Sequence, residues 1–201
     1  MPYRMVAAKD GTRLDYDPVV PRGAPLELNA GEVAAFASGV GDAFVVRTQD
    51  AEHPIHVAQY MTGQSGDYWG SGRDFAGQGD PEFVNVIAAG QYLTAASFYA
   101  DPTYSETSLV IVRAKTDGEF KDVTLECLGG PVTGFRPVGT RGDYEWTRVE
   151  LSKRNRPGTT SGDKACHYGA HRLRSDGAFT ATLWGWDLAA SYAYPSGQAT
   201  R

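Results

Sequence analysis

The chain is punctuated into short runs, and this limits it more than any single motif does. Tyr3 to Ala8, Thr12 to Tyr16, Leu26 to Phe36, Phe44 to Thr48 and Ile55 to Met61 are apolar or alternating, and each is bounded by Gly, Asp or Pro. The same grammar returns at Phe83 to Ile87, Tyr92 to Tyr99, Ser108 to Ala114, Asp122 to Cys127 and Tyr144 to Leu151, then at His171 to Ser175, Phe179 to Trp186 and Ser191 to Tyr194. Only Glu32 to Ser38 and Ala88 to Ala96 carry even a weak helical pattern. Short runs bounded by turn residues suit extended strands. With 24 glycines and 11 prolines to supply turns, the pattern predicts an all-β protein of sandwich or barrel type with little or no helix.

The runs also repeat. Val46 to Gly63 and Arg172 to Gly185 both read as strand, Asp-containing turn, strand and glycine exit. Met5 to Tyr16 and Ile111 to Leu125 both read as hairpins, turning at Asp10-Gly11 and Asp117-Gly118. This predicts an internal duplication: two related β-sandwich-like lobes in tandem. The expected divisions are a first lobe over 1–63, a connector with bridging strands over 64–107, and a second lobe over 108–201. The connector opens on a glycine-rich stretch from Gly63 to Pro81, longer than an ordinary loop. Ser152 to Lys164 reads as a polar loop.

Composition removes several classes of partner. A net charge of −5 without a clustered basic run argues against nucleic acid. No stretch has the roughly 20 apolar residues of a membrane span, so membrane insertion is not expected. Met1-Pro2-Tyr3-Arg4 runs directly into a strand pattern with no signal peptide, as in a cytoplasmic protein or a fragment of a longer secreted chain. Two cysteines are present: Cys127 follows an alternating run and Cys166 lies in a polar segment. They read either as free thiols or as a pair closing a loop of about 40 residues, the latter implying an oxidising compartment.

A search for chemistry returns little. His53/His56 and His167/His171 are spaced like zinc ligands, but residues three apart on a strand point to opposite faces, so no metal is expected. Asp67, Asp74, Asp80 and Glu82 match no calcium loop. Neither a nucleophile elbow nor a phosphate loop nor a dinucleotide fingerprint occurs, so no cofactor is expected and the chain does not read as an enzyme. Gly79-Asp80-Pro81 is followed by Glu82 rather than the histidine of self-cleaving mucin-type domains. The aromatics carry more: Tyr68, Trp69, Trp184, Trp186, Tyr192 and Tyr194 form the candidate binding set. Strand alternation puts Trp184 and Trp186 on one face, opposite Phe179, Ala181 and Leu183. If the latter row is the core, the tryptophans face a groove or a partner.

The connected series from Val6-Ala7-Ala8-Lys9-Asp10-Gly11-Thr12 through His53-Pro54-Ile55, Gly79-Asp80-Pro81, Tyr104 to Ala114, Val123-Thr124-Leu125 and Cys127 carries a resemblance. It continues through Cys166, His171 to Asp176, Trp184-Gly185-Trp186 and Tyr194-Pro195-Ser196-Gly197. Together these resemble the domains named after the N-terminal part of the IgG-Fc-binding protein of mucus. The resemblance implies an extracellular or surface setting, a sandwich-type architecture within long mosaic proteins, and a Cys127–Cys166 disulfide. The family domain is typically longer at its N-terminus, so this sequence would lack the opening strands. The function expected is a non-catalytic recognition or adhesion domain at a cell surface, binding a protein or glycan as part of a larger assembly. The alternatives are a carboxylate-dependent glycan hydrolase and a passive module of a mosaic surface protein.

Overall fold

The computed structural model describes residues 1–39, 42–61, 63 and 78–200. Among these the chain is β throughout, interrupted by single 3₁₀ turns at Ala89–Gln91 and Glu126–Leu128. The all-β expectation holds. Of the two segments with a weak helical pattern, Glu32 to Ser38 contains the strand Val33–Ala37, and Ala88 to Ala96 holds the 3₁₀ turn and the start of the strand Leu93–Ala100.

The first part is a small sandwich. Strands β1 (Pro2–Ala7), β4 (Val33–Ala37), β6 (Ile55–Met61) and β7 (Glu82–Asn85) form one antiparallel sheet in the order β4-β1-β6-β7. Strands β2 (Thr12–Asp17), β3 (Glu27–Leu28) and β5 (Val45–Thr48) form the other, ordered β3-β2-β5. Alternation sets the core: Met5 and Ala7 face Leu14, Tyr16, Leu28 and Phe36, all buried. Tyr3 stacks on Phe36 and meets Phe44 edge-on, with ring centres 5.5 and 5.2 Å apart.

The Asp10-Gly11 turn is not the hairpin its sequence suggests. Strands β1 and β2 do not pair, and the chain there crosses from one sheet to the other. A flat hairpin would set the two apolar rows side by side in one layer. The crossing turns them face to face, where both are buried. Side chains hold the crossing: Ala30 N–H donates to Asp10 and Gly11 N–H to Asn29.

The second part is a single curled sheet. Strands β8 (Leu93–Ala100), β9 (Glu106–Ala114), β10 (Val123–Leu125), β11 (Gly130–Pro131), β12 (Arg136–Val138), β13 (Tyr144–Lys153), β14 (Arg156–Pro157), β17 (Gly169–Asp187) and β18 (Ala190–Pro195) all belong to it. A separate short hairpin is made by β15 (Thr160–Ser161) and β16 (Lys164–Ala165), so the expected loop from Ser152 to Lys164 is largely short strands. Strand β17 organises the sheet. Its first half pairs with β8 and β10, its second with β9 and β18. The register shifts between Arg174 and Phe179, where the strand bends. A Cβ on Gly177 would lie 2.9 Å from Lys121 Cβ, so the bend needs glycine. Leu173, Phe179, Ala181 and Leu183 keep one parity across the bend and enter one core with Phe98, Leu109, Ile111, Leu125 and Leu151.

The tandem duplication is not confirmed. Val46 to Gly63 contributes strands to two different sheets, whereas Arg172 to Gly185 lies within one bent strand. A strand–turn–strand pattern does not encode whether the chain switches sheets at the turn.

Two junctions join the parts. The Asp17 carboxylate, 4% exposed, accepts hydrogen bonds from the Thr140 hydroxyl (2.7 Å), Thr140 N–H (2.9 Å) and Arg141 N–H (3.1 Å). Gly139, at φ +74°, lies so close to this carboxylate that a Cβ would collide with it. Arg141 pairs with Asp15 at 2.6 Å and Arg47 with Asp143 at 2.7 Å. At the second junction Gly79 N–H donates to Asp187 O at 2.8 Å, while Gln78 bridges Leu188.

Cys127 and Cys166 form a disulfide with Cα atoms 4.9 Å apart, as the resemblance implied. Cys166 is fully buried in the second core. Replacing both by serine removes a link across 39 residues and is expected to cost about 2–5 kcal/mol, read by urea unfolding. The hydrogen bonds from Thr140 hold the Asp17 carboxyl below its ordinary value, outweighing burial. A depressed pKa contributes stability above the ordinary carboxylate range and loses it as pH falls through the folded value. The melting temperature of Asp17→Asn should therefore lie below wild type at pH 6, and the gap should narrow towards pH 3.

Candidate functional site

Strands β12, β13, β9, β17 and β18 present one face to the core and one away from it. On β13, Thr147, Val149 and Leu151 point inward and are buried, which leaves Trp146, Arg148 and Glu150 outward. On β17, Phe179, Ala181 and Leu183 point inward, leaving Thr180, Thr182, Trp184 and Trp186 outward, as the alternation predicts. The register aligns these rows. Arg136, Trp146, Val112 and Thr180 lie across the sheet in one row. Arg148, Val110 and Thr182 form the next, then Glu150, Ser108 and Trp184, and finally Glu106 and Trp186.

The outcome is a face of tryptophan, valine and arginine. The Arg136 guanidinium lies 4.5 Å from the Trp146 ring centre, and that of Arg148 lies 5.4 Å from the Trp186 ring. Arg148 is also held by Glu150 at 2.9 Å. Contact between Arg148 and Trp186 spans the intervening row, where Ser108 and Trp184 are 2% and 6% exposed. Trp146, Val110, Val112 and Trp186 remain half-buried, and both arginines are exposed. The first sandwich borders the face: Arg47 lies 5.9 Å from the Tyr144 ring, and β7 runs beside β18.

The sequence-derived aromatic set is divided by the fold. Trp184 and Trp186 share the outer face, Trp184 buried and Trp186 partly open. Tyr192 and Tyr194 stand opposite Gly185 and Leu183 and pack against the core from the other side. Gly185 leaves room for the Tyr192 ring, which a Cβ would overlap. The two tyrosines stack at 6.2 Å, and their hydroxyls reach the edge of β8. Tyr99 N–H donates to the Tyr194 hydroxyl at 2.8 Å, which donates to Tyr99 O at 2.7 Å, and Asp101 N–H donates to the Tyr192 hydroxyl. Burial raises the Tyr192 hydroxyl above its ordinary pKa. Tyr68 and Trp69 lie outside the described residues. Trp146, Arg136 and Arg148 were not singled out from the sequence. For Trp146 and Arg148 the signal is the inward row Thr147, Val149 and Leu151, which orients them as Leu183 orients Trp184, whereas Arg136 is placed only by the pairing of β12 with β13.

The histidines do not gather: His53 is held by Asp50 at 2.7 Å, while His171 bonds the His167 carbonyl at 2.9 Å. Among the described residues no three His, Cys, Asp or Glu side chains are placed to hold a metal ion. No helix among them is long and apolar enough to cross a membrane.

These placements separate stability from surface. Trp184→Ala truncates a buried ring and is expected to cost about 3–5 kcal/mol, whereas Trp186→Ala should cost far less, both measured by thermal melts. Tyr194→Phe keeps the ring stack but removes both bonds to Tyr99, for an expected loss of about 1 kcal/mol.

The family model described as IgGFc binding protein matches residues 1–185. Neither a curated protein nor a solved structure matches the chain. The match runs from β1 to Gly185 on β17, and so takes in strands of both sheet systems, the disulfide, Arg136, Trp146 and Arg148, and stops one residue short of Trp186. The resemblance read from the residue series is thus borne out: the chain belongs to the IgGFc-binding protein family.

Proposed function

We propose that this chain is an extracellular, non-catalytic protein-binding module that engages its partner through the outer face of the curled sheet, centred on Trp186, Trp146, Arg148 and Arg136. The observation that carries the reading is the pairing of tryptophans and arginines on one partly open face. Trp and Arg dominate the energetics of protein interfaces because they combine large apolar area with directional charge. Arg148 is already braced by Glu150 and by the Trp186 ring, so little side-chain freedom is lost on docking.

Membership of a family described by binding supports the same reading, and a disulfide fits an oxidising, extracellular setting. A glycan hydrolase finds no comparable support. The groove of about 420 Å³ beside β8 is lined by Ala95 to Ser97, Arg172 to Arg174 and Ser196, and so offers no carboxylate pair of the kind glycoside hydrolysis uses. A passive module would give no reason for a ring-and-guanidinium face.

Immunoglobulin G Fc, the ligand in the family's description, is the first partner to test, followed by a protein and glycan array. Trp186→Ala and Arg148→Ala should each weaken a captured protein by more than about 1 kcal/mol with the melting temperature nearly unchanged, measured by biolayer interferometry. Capture that is insensitive to both substitutions would move the site elsewhere.

A further inference from the structure

A second surface lies at the free edge of β8, on the other half of the curled sheet. Among the described residues strand β8 pairs with β17 alone. The bonds to Tyr194 show that the Tyr99 backbone groups point away from β17. Backbone direction alternates in an antiparallel pair, so Ala95 and Ser97 turn their N–H and C=O groups outward too. No hydrogen bond within the chain reaches these four groups among the described residues. Such a row is a template for another strand unless the fold covers it. Here the cover is partial: Tyr192 and Tyr194 close the edge at Asp101 and Tyr99, and Ala199 N–H donates to Gln91 O at the other end. Between them the C-terminal segment borders the edge, with Ser196 beside Ala95 to Ser97 and Gly197 near Leu93, and among the described residues it makes no hydrogen bond to Ala95 or Ser97.

This stretch of the edge borders the groove of about 420 Å³ lined by Ala95 to Ser97, Arg172 to Arg174 and Ser196. Arg172 lies directly across from Ser97, and Arg174 from Ala95. Both arginines are exposed, and neither has a carboxylate partner among the described residues. Ala95 and Ser97 are too short to screen them. A strand added beside β8 would lie about 10 Å from β17, two inter-strand spacings. A glutamate on that strand and an arginine on β17, reaching toward each other over alanine and serine, span this distance.

We propose that the free edge of β8 takes up an extended acidic segment of a partner protein as an added strand, with Ala95 and Ser97 giving backbone hydrogen bonds and Arg172 and Arg174 selecting carboxylates. Charge complementarity fixes the occupant: two unpaired guanidiniums flank the edge in a chain of net charge −5. The closures at Tyr99 and Gln91 limit the added strand to about five residues. This surface is separate from the tryptophan face and stands or falls independently of it.

The test uses the full chain, ¹⁵N-labelled, with an acetylated seven-residue peptide alternating glutamate and valine, and the same peptide with lysine for glutamate. The acidic peptide should slow amide exchange at Ala95 and Ser97 at least tenfold, and the lysine peptide should not. Ser97→Pro removes an outward N–H without touching the β17 ladder. It should abolish protection at Ala95 while leaving the melting temperature unchanged. The double variant Arg172→Glu, Arg174→Glu should weaken the acidic peptide more than tenfold, and Trp186→Ala should not affect it. The proposal is overturned if these amides are already protected in the free protein, if neither peptide slows them, or if both peptides slow them equally. Acidic-peptide binding that survives Ser97→Pro or the double charge reversal overturns it as well.

Discussion

The architecture of the second half depends on one bent strand. Nineteen residues from Gly169 to Asp187 pair with four neighbours through a bend at Gly177, where the register with β8 shifts and Lys121 leaves no room for a side chain. The turn swings the first half away from the second while preserving the parity of the side chains. Leu173, Phe179, Ala181 and Leu183 therefore converge on one core although they belong to differently oriented stretches. The buried disulfide fixes the 3₁₀ turn after β10 to β16 and closes that core from the side. Without the bend, the long strand would present a flat, two-sided sheet with one face unburied.

The same parity rule that fills the core builds the outer surface. Once Leu183 and Val149 point in, Trp184, Trp186, Trp146 and Arg148 point out. The two tryptophans of β17 then part in role. Trp184 lies beneath the contact of Arg148 with Trp186 and is buried, while Trp186 stays partly open. Tyr192 and Tyr194 belong to a third environment, inside the curl, where their hydroxyls satisfy the backbone of β8. One cluster of aromatics in sequence thus divides between core packing, edge protection and a partly open outer face.

At the Asp17 junction the two sheet systems are held together by polar contacts. Asp17 receives hydrogen bonds from Thr140 and Arg141, flanked by Asp15–Arg141 and Arg47–Asp143. Neither apolar cluster extends across this junction. Charged hydrogen bonds fix orientation through geometry, and they weaken when the carboxylate is protonated.

The amino-acid sequence by itself determined the β character, the turns and the facing of individual strands, because these follow from local alternation and from Gly, Pro and Asp punctuation. It determined that Phe179 and Leu183 lie opposite Trp184 and Trp186, and the residue series was enough to reach the family and the cysteine pair. What it did not determine were the partners of each strand. Asp10-Gly11 reads as a hairpin yet crosses between sheets, and Ser175 to Ala178 reads as a break yet lies within one strand. Both patterns are locally degenerate, and burial of rows distant in sequence chooses between the outcomes. Only the tertiary structure could decide that Tyr192 and Tyr194 turn inward while Trp146 and Arg148 join Trp186 outside. That sorting requires the register of β13, β9 and β17 across more than seventy residues of chain, which alternation within one strand cannot carry.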